Sequence, residues 1–222
     1  MGRRLAPFLA AAAVLAGGAF AAGTPVSPLP GAVVPSSYPA FSWRLPANEQ
    51  SLGLYVADRA DLTPDGKFPD ENVVEQAAFT TDQRQWSPSR PLYAGQYWWL
   101  VWSGDRSTSQ TFYSTPTSFT IPVSLNLLPV KTVRSTFLHL LAVRVRWTAN
   151  VHALTVRARV RSGKKIVWQR TDPQVNAIGF PYSTSFAWYR PPRIKRGLRL
   201  RLDVTLCAQG VAKTRSLVVR AP

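Results

Sequence analysis

The sequence predicts an all-β chain folded as two tandem antiparallel β-sandwiches behind an N-terminal targeting segment, and three observations carry that prediction. Apolar and polar residues alternate with a period of two in short runs over 40–45, 143–147, 154–161 and 198–206, which puts every second side chain on a buried face. Nineteen Pro and 13 Gly punctuate these runs, a density that favours short strands and turns over long helices. The charge also divides sharply near residue 122. Residues 24–122 carry nine carboxylates and six bases, whereas residues 123–222 carry 19 Lys and Arg against only Asp172 and Asp203. Halves of net −3 and +17 within a chain of +16 are expected to be separate domains, 23–122 and 123–222, with different surfaces.

The composition supports a folded chain. It is 45% hydrophobic and 17% charged, and it holds eight Trp, whereas disordered chains are poor in aromatics and rich in charge. Residues 1–22 read as a signal peptide. Arg3 and Arg4 precede an apolar stretch, and Ala19-Phe20-Ala21 supplies the small-x-small pattern of a cleavage site. The alternative is a membrane anchor, because residues 5–22 form an uncharged 18-residue stretch, the lower edge of what spans a bilayer. Either way the expected location is secreted or at the cell surface. The single cysteine, Cys207, excludes an internal disulfide framework.

In the first domain the strand-like runs are 40–45, 52–57, 96–102 and 118–121, while residues 58–90 read as a long irregular segment. Pro25, Pro28 and Pro30 precede a Phe41-Ser42-Trp43 strand; later come Leu92-x-x-Gly95-x-Tyr97-x-Trp99-x-Val101 and Phe119-Thr120-Ile121-Pro122. This order of marks resembles the fibronectin type III domain in its bacterial form, over about the 100 residues such a domain needs. The resemblance implies that Trp43, Leu92, Tyr97, Trp99 and Val101 are core. It also implies that Tyr97 donates its hydroxyl to the backbone as a tyrosine corner.

If Tyr97, Trp99 and Val101 point inward, then Trp98, Leu100 and Trp102 point outward. Three large apolar residues on a solvent face form an exposed patch. They are expected either to lie under the 58–90 segment or the second domain, or to form an aromatic site that stacks on sugar rings. Residues 61–71 collect four carboxylates without the alternate spacing of a calcium loop, and Pro64-Asp65-Gly66 reads as a turn. No metal and no cofactor is expected.

The second domain alternates more strongly, and Ser162-Gly163-Lys164-Lys165 reads as a hairpin connection. It is similar, more weakly, to an Ig-like or fibronectin-like sandwich, and it lacks a tyrosine at the corner. By the order of strands in such folds, 154–161 and 198–206 are the third and sixth strands and neighbours in one sheet. Arg157, Arg159 and Arg161 are then expected beside Arg199 and Arg201, with Lys164, Lys165, Arg193, Lys195 and Arg196 around the edges. Such a cationic face attracts envelope polyanions. The bland counterpart is a solvated strand face, since 21 of the 27 bases are Arg. Nucleic acid is disfavoured, because stacking aromatics are not interleaved with these bases.

Catalytic patterns are missing. His139 and His152 lack metal-type spacing, there is no nucleophile elbow or phosphate loop, and Cys207 has no adjacent histidine. The expected function is a non-catalytic tandem of binding or spacer modules. The alternatives are a glycan-binding module using Trp98 and Trp102, and an accessory domain of an envelope enzyme complex. The partner itself is not written in the sequence: an envelope polyanion, a glycan or a protein would each fit.

Overall fold

A computed structural model describes residues 23–80, 82–106 and 109–222; the segment expected to be a signal peptide lies outside them. The first sandwich is built from β1 (Thr24–Ser27), β2 (Ala32–Val33), β3 (Phe41–Arg44), β4 (Glu49–Ala57), β5 (Val73–Ala78), β6 (Gln85–Trp86), β7 (Gly95–Asp105), β8 (Thr111–Tyr113) and β9 (Thr117–Ile121). One sheet runs β1-β3-β6 and the other β2-β9-β7-β4-β5, with β8 hairpinned onto β7. This is a fibronectin type III-like order, and its core is the predicted one: Trp43, Leu92, Tyr97, Trp99 and Val101 are buried with Phe41, Leu54, Val56, Phe119 and Ile121.

Polar atoms carried into that core have partners, as burial demands. Trp43 donates its indole N–H to Ser51 Oγ at 2.8 Å, and Trp99 donates to the Pro28 carbonyl at 3.3 Å. Tyr97 donates its hydroxyl to the Tyr93 carbonyl at 3.0 Å, which is the tyrosine corner. Burial first, then the neighbouring Asp58 carboxylate, pushes the Tyr97 phenol up to about 12.

Residues 58–90 are less irregular than the sequence reading has them. They contain β5, an edge strand paired antiparallel with β4 from Gly53↔Ala78 to Ala57↔Val73. Its Val-Val-Glu-Gln-Ala-Ala sequence alternates half-buried and exposed positions but carries too few large apolar residues to announce itself. The acidic loop before it is a turn: Thr63 N–H bonds the Lys67 carbonyl at 2.8 Å, and the Thr63 hydroxyl bonds Asp65 Oδ1 at 2.5 Å.

The second sandwich comprises β10 (Leu125–Leu127), β11 (Lys131–Ser135), β12 (Leu140–Ser162), β13 (Lys165–Ile178), β14 (Tyr182–Tyr189), β15 (Arg199–Ala208) and β16 (Val211–Arg220). The runs 143–147 and 154–161, read from the sequence as two strands, are one 23-residue strand. Its first half pairs with β10, β11 and β14, and its second half with β13 and β15. Leu141, Val143, Val145, Trp147, Ala149 and Val151 are buried in the first half, but Leu154, Val156, Ala158 and Val160 in the second. The inward positions are odd and then even, as they must be when a strand steps from one layer to the other: the core lies below the upper sheet and above the lower one.

Two hairpins follow from their turn residues. Gly163, at φ 58°, opens the two-residue connection from β12 to β13. Gln209 and Gly210, both with positive φ, join β15 to β16 in the form that matches strand twist. Tyr182 also donates its hydroxyl to a carbonyl four residues upstream, Ile178, at 3.4 Å, so the second sandwich has a weak counterpart of the bond made by Tyr97.

Only Pro122, Val123 and Ser124 separate β9 from β10, and Asn150 staples them. Its side chain accepts from Ser124 N–H at 2.7 Å and donates to the Pro122 carbonyl at 2.9 Å, while its own carbonyl accepts from Ala94 N–H at 2.6 Å. Tyr93 of the first sandwich stacks on His152 of the second, with ring centroids 3.5 Å apart. No described helix is long and apolar enough to cross a membrane.

Candidate functional site: the basic face of the second sandwich

The β12–β15 ladder decides the fate of the arginine rows. Arg157 pairs with Thr205, Arg159 with Asp203 and Arg161 with Arg201. Directly paired residues share a face, so the rows Arg157, Arg159, Arg161 and Arg199, Arg201 lie side by side on the outer face of one sheet. The same register carries Gln169 and Thr171 of β13 onto that face opposite Arg159 and Arg157, and Ser216 and Arg220 of β16 opposite Asp203 and Arg199. Lys164 and Lys165 stand exposed at the hairpin end of this sheet. The same pairings set exposed Ile166 beside Arg161 and exposed Val218 beside Arg201, so the face is basic with apolar residues at its margins and one carboxylate in it.

That carboxylate is the residue whose role sequence reasoning missed. Asp203 has 9% of its side chain exposed; it accepts from Arg201 Nε at 2.7 Å and from the Ser216 hydroxyl at 2.6 Å, and it lies 3.0 Å from Arg161 Nε. Burial pushes its carboxyl up, but the Ser216 and Arg201 hydrogen bonds and the Arg201 and Arg161 charges prevail and hold it below its ordinary value of 3.8. Ionised Asp203 therefore cancels one of the six arginine charges on this face and holds two guanidinium groups in place. Arg159 donates to Gln169 Oε1 at 2.6 Å, which orients the group without neutralising it. Asp172, the only other acid of this half, has the opposite parity and bonds the Thr184 hydroxyl. The signal available in the sequence was Asp203 sitting in phase with Arg199 and Arg201; its partners across β12 and β16 depend on register.

The outward row Trp98, Leu100, Trp102 of the first sandwich meets the 58–72 segment, one of the two covers expected for it. Leu100 is fully buried, because Phe68 from the 58–72 segment closes over it together with Ala57. Trp98 is half-buried against the same cluster. Trp102 lies on the backbone of Gly53 and stacks on Tyr55 with ring centroids 6.1 Å apart. Its indole N–H is buried without a partner, so the ring is packed down rather than presented. Leu100 and Trp98 thus belong to a small second core with Phe68 and Ala57, and Trp102 packs on Gly53 and Tyr55.

Both histidines are engaged in other contacts: Arg190 donates to His139 Nδ1 at 3.3 Å, and His152 lies under Tyr93. Among the described residues no three His, Cys, Asp or Glu groups converge as metal ligands would. A cleft of about 490 Å³ at the junction is lined by Asp58, Glu75, Arg90, Tyr93, Gln96 and His152 among others, with charges of both signs and no common polarity.

The strand order and the arginine face together define a tandem of fibronectin type III-like sandwiches with a basic second module. The chain matches no family model and no curated protein. Among solved structures it is similar to a two-domain fibronectin type III segment of chicken tenascin, at 10% identity and a TM-score of 0.46, over 90% of this chain and 98% of that one. It is also similar to dimeric latent PorU from Porphyromonas gingivalis, at 13% identity and a TM-score of 0.33, over 90% of this chain and 20% of that one. The BSP domain of a biofilm-associated protein is a further similar structure, at 15% identity and a TM-score of 0.27, over 88% of this chain and 29% of that one.

Proposed function

We propose that this chain is an exported, non-catalytic two-module protein whose second module binds an anionic polymer of the cell envelope through the outer face of β13, β12, β15 and β16. The first module acts as a spacer of fixed orientation. The observation that supports it is the register that sets Arg157, Arg159 and Arg161 beside Arg199 and Arg201, with Asp203 as the one carboxylate on that face among the described residues. A row of guanidinium groups at strand spacing suits a chain of repeating phosphates or carboxylates, because each group offers a planar fork of donors. The Asn150 staple and the Tyr93–His152 stack support the spacer role, since a three-residue linker bonded at both ends leaves little freedom for a hinge.

Retention on immobilised poly(glycerol phosphate) tests this reading. Four engaged phosphates correspond to a log–log salt slope of roughly −3, taking about 0.7 per contact as for flexible single-stranded polyanions. Arg157→Ala/Arg199→Ala is expected to reduce that slope to about half. Retention that is absent, or independent of salt, removes the proposal.

A further inference from the structure

The end of the second sandwich remote from the first carries a different feature. The turn joining β11 to β12 exposes Phe137 at 90% and Leu138 at 55% of their surfaces. Side chains so placed contribute almost nothing to the core, and a hairpin tip accepts polar residues freely. The tip is nevertheless built. Leu138 N–H bonds Ser135 Oγ at 3.2 Å, His139 takes a left-handed φ of 51°, and the His139 carbonyl accepts from Arg190 N–H at 2.8 Å. Arg190 in turn donates to the Ile194 carbonyl at 2.5 Å, tying the tip to the connection between β14 and β15.

That connection brings charge. It presents Arg193, Lys195 and Arg196, all exposed. Topology puts the Lys164 and Lys165 turn at the same end, because β15 begins at Arg199, opposite the last residues of β12. Both acids of this half are engaged along the strands, Asp203 with Arg161 and Arg201, and Asp172 with Thr184. The pole is therefore an apolar tip among at least five cations.

A soluble polyanion would meet the cations but offer nothing to Phe137 and Leu138. A bilayer with anionic headgroups meets both: basic residues gather over the lipid phosphates, and the two apolar side chains enter the boundary between headgroups and acyl chains. We propose that this pole docks the protein on an anionic lipid bilayer, with Phe137 and Leu138 inserted. The pole adjoins the arginine face at Lys164 and Lys165, but the insertion of Phe137 and Leu138 involves neither arginine row and is tested apart from it.

Co-sedimentation of the chain from Gly23 onward, which contains both sandwiches, tests it with vesicles of phosphatidylglycerol and phosphatidylcholine and with phosphatidylcholine alone. Binding is expected only to the anionic vesicles. Phe137→Ser/Leu138→Ser should weaken it at least about tenfold, as the transfer of two apolar side chains implies, with the melting temperature and poly(glycerol phosphate) retention unchanged. Lys195→Glu/Arg196→Glu should weaken it too. Arg157→Ala/Arg199→Ala should leave vesicle binding within about twofold while lowering polymer retention. Equal vesicle binding by the serine variant overturns the insertion, as does polymer retention without any vesicle binding.

Discussion

Replacing Asp203 with Asn separates what that residue does for the fold from what it does to the face. The carboxylate takes one hydrogen bond from Arg201 and one from Ser216, and it pairs with Arg161. Hydrogen bonds to a charged group contribute about 1.5–3 kcal/mol when well shielded. The Arg201 side chain is largely exposed, so its share falls toward the surface-pair range of up to about 1 kcal/mol. Asn keeps the shape and one acceptor oxygen, so a net loss of about 1–2 kcal/mol is expected. In a module of about 100 residues that lowers the melting temperature by roughly 5–15 °C. Arg161 and Arg201, paired directly across the ladder, would at the same time lose the charge that neutralises them, so polymer retention should rise. The folded-state value of Asp203 is depressed, hence its stabilisation is fully present above the unfolded value of about 4 and lost as pH falls through the folded one. The melting difference between wild type and D203N should accordingly hold at neutral pH and vanish in acid. Thermal unfolding followed by circular dichroism, run beside polymer retention, reads both effects. A variant that melts like wild type and binds the polymer more weakly would refute this account of Asp203.

Three further outcomes follow from the packing. Gly53→Ala would put a methyl group 2.1 Å from Trp102 Nε1 and 2.4 Å from the Ala77 carbonyl, so a loss of about 1–3 kcal/mol or more is expected in urea unfolding. Phe68→Ala removes the lid over Leu100 and should destabilise the first module by about 3–5 kcal/mol, with Trp98 fluorescence shifting to the red as water reaches it. Tyr97 should escape ionisation near pH 10 in a titration followed by ultraviolet absorbance. Because its folded value is raised to about 12, its stabilisation is intact below about pH 10 and lost as pH climbs toward 12; Tyr97→Phe abolishes that alkaline component.

The arginine face was legible early because alternation is local: a period of two places Arg157, Arg159 and Arg161 on one side whatever the strand pairs with. The tyrosine corner was implied by the resemblance of the Leu92-x-x-Gly95-x-Tyr97 run to fibronectin type III domains, and its bond to Tyr93 spans only four residues. The aromatic row shows the opposite case. Alternation correctly put Trp98, Leu100 and Trp102 on the outer side of β7, but whether that side met water depended on Phe68, a residue 32 positions before Leu100 in an unremarkable loop. The edge strand β5 was missed for want of large apolar residues, and β12 was read as two strands because its inward parity changes midway.

The sequence by itself determined the strongly alternating strand segments, which way their side chains face, and that the two halves differ in charge, because these follow from short-range periodicity and composition. Only the tertiary structure decided that Asp203 neutralises part of the basic face, that Leu100 has a lid, and that Phe137 and Leu138 share a pole with Lys164, Lys165, Arg193, Lys195 and Arg196. Each of those depends on register or on which strand ends meet, and such long-range pairings are selected by the whole core at once.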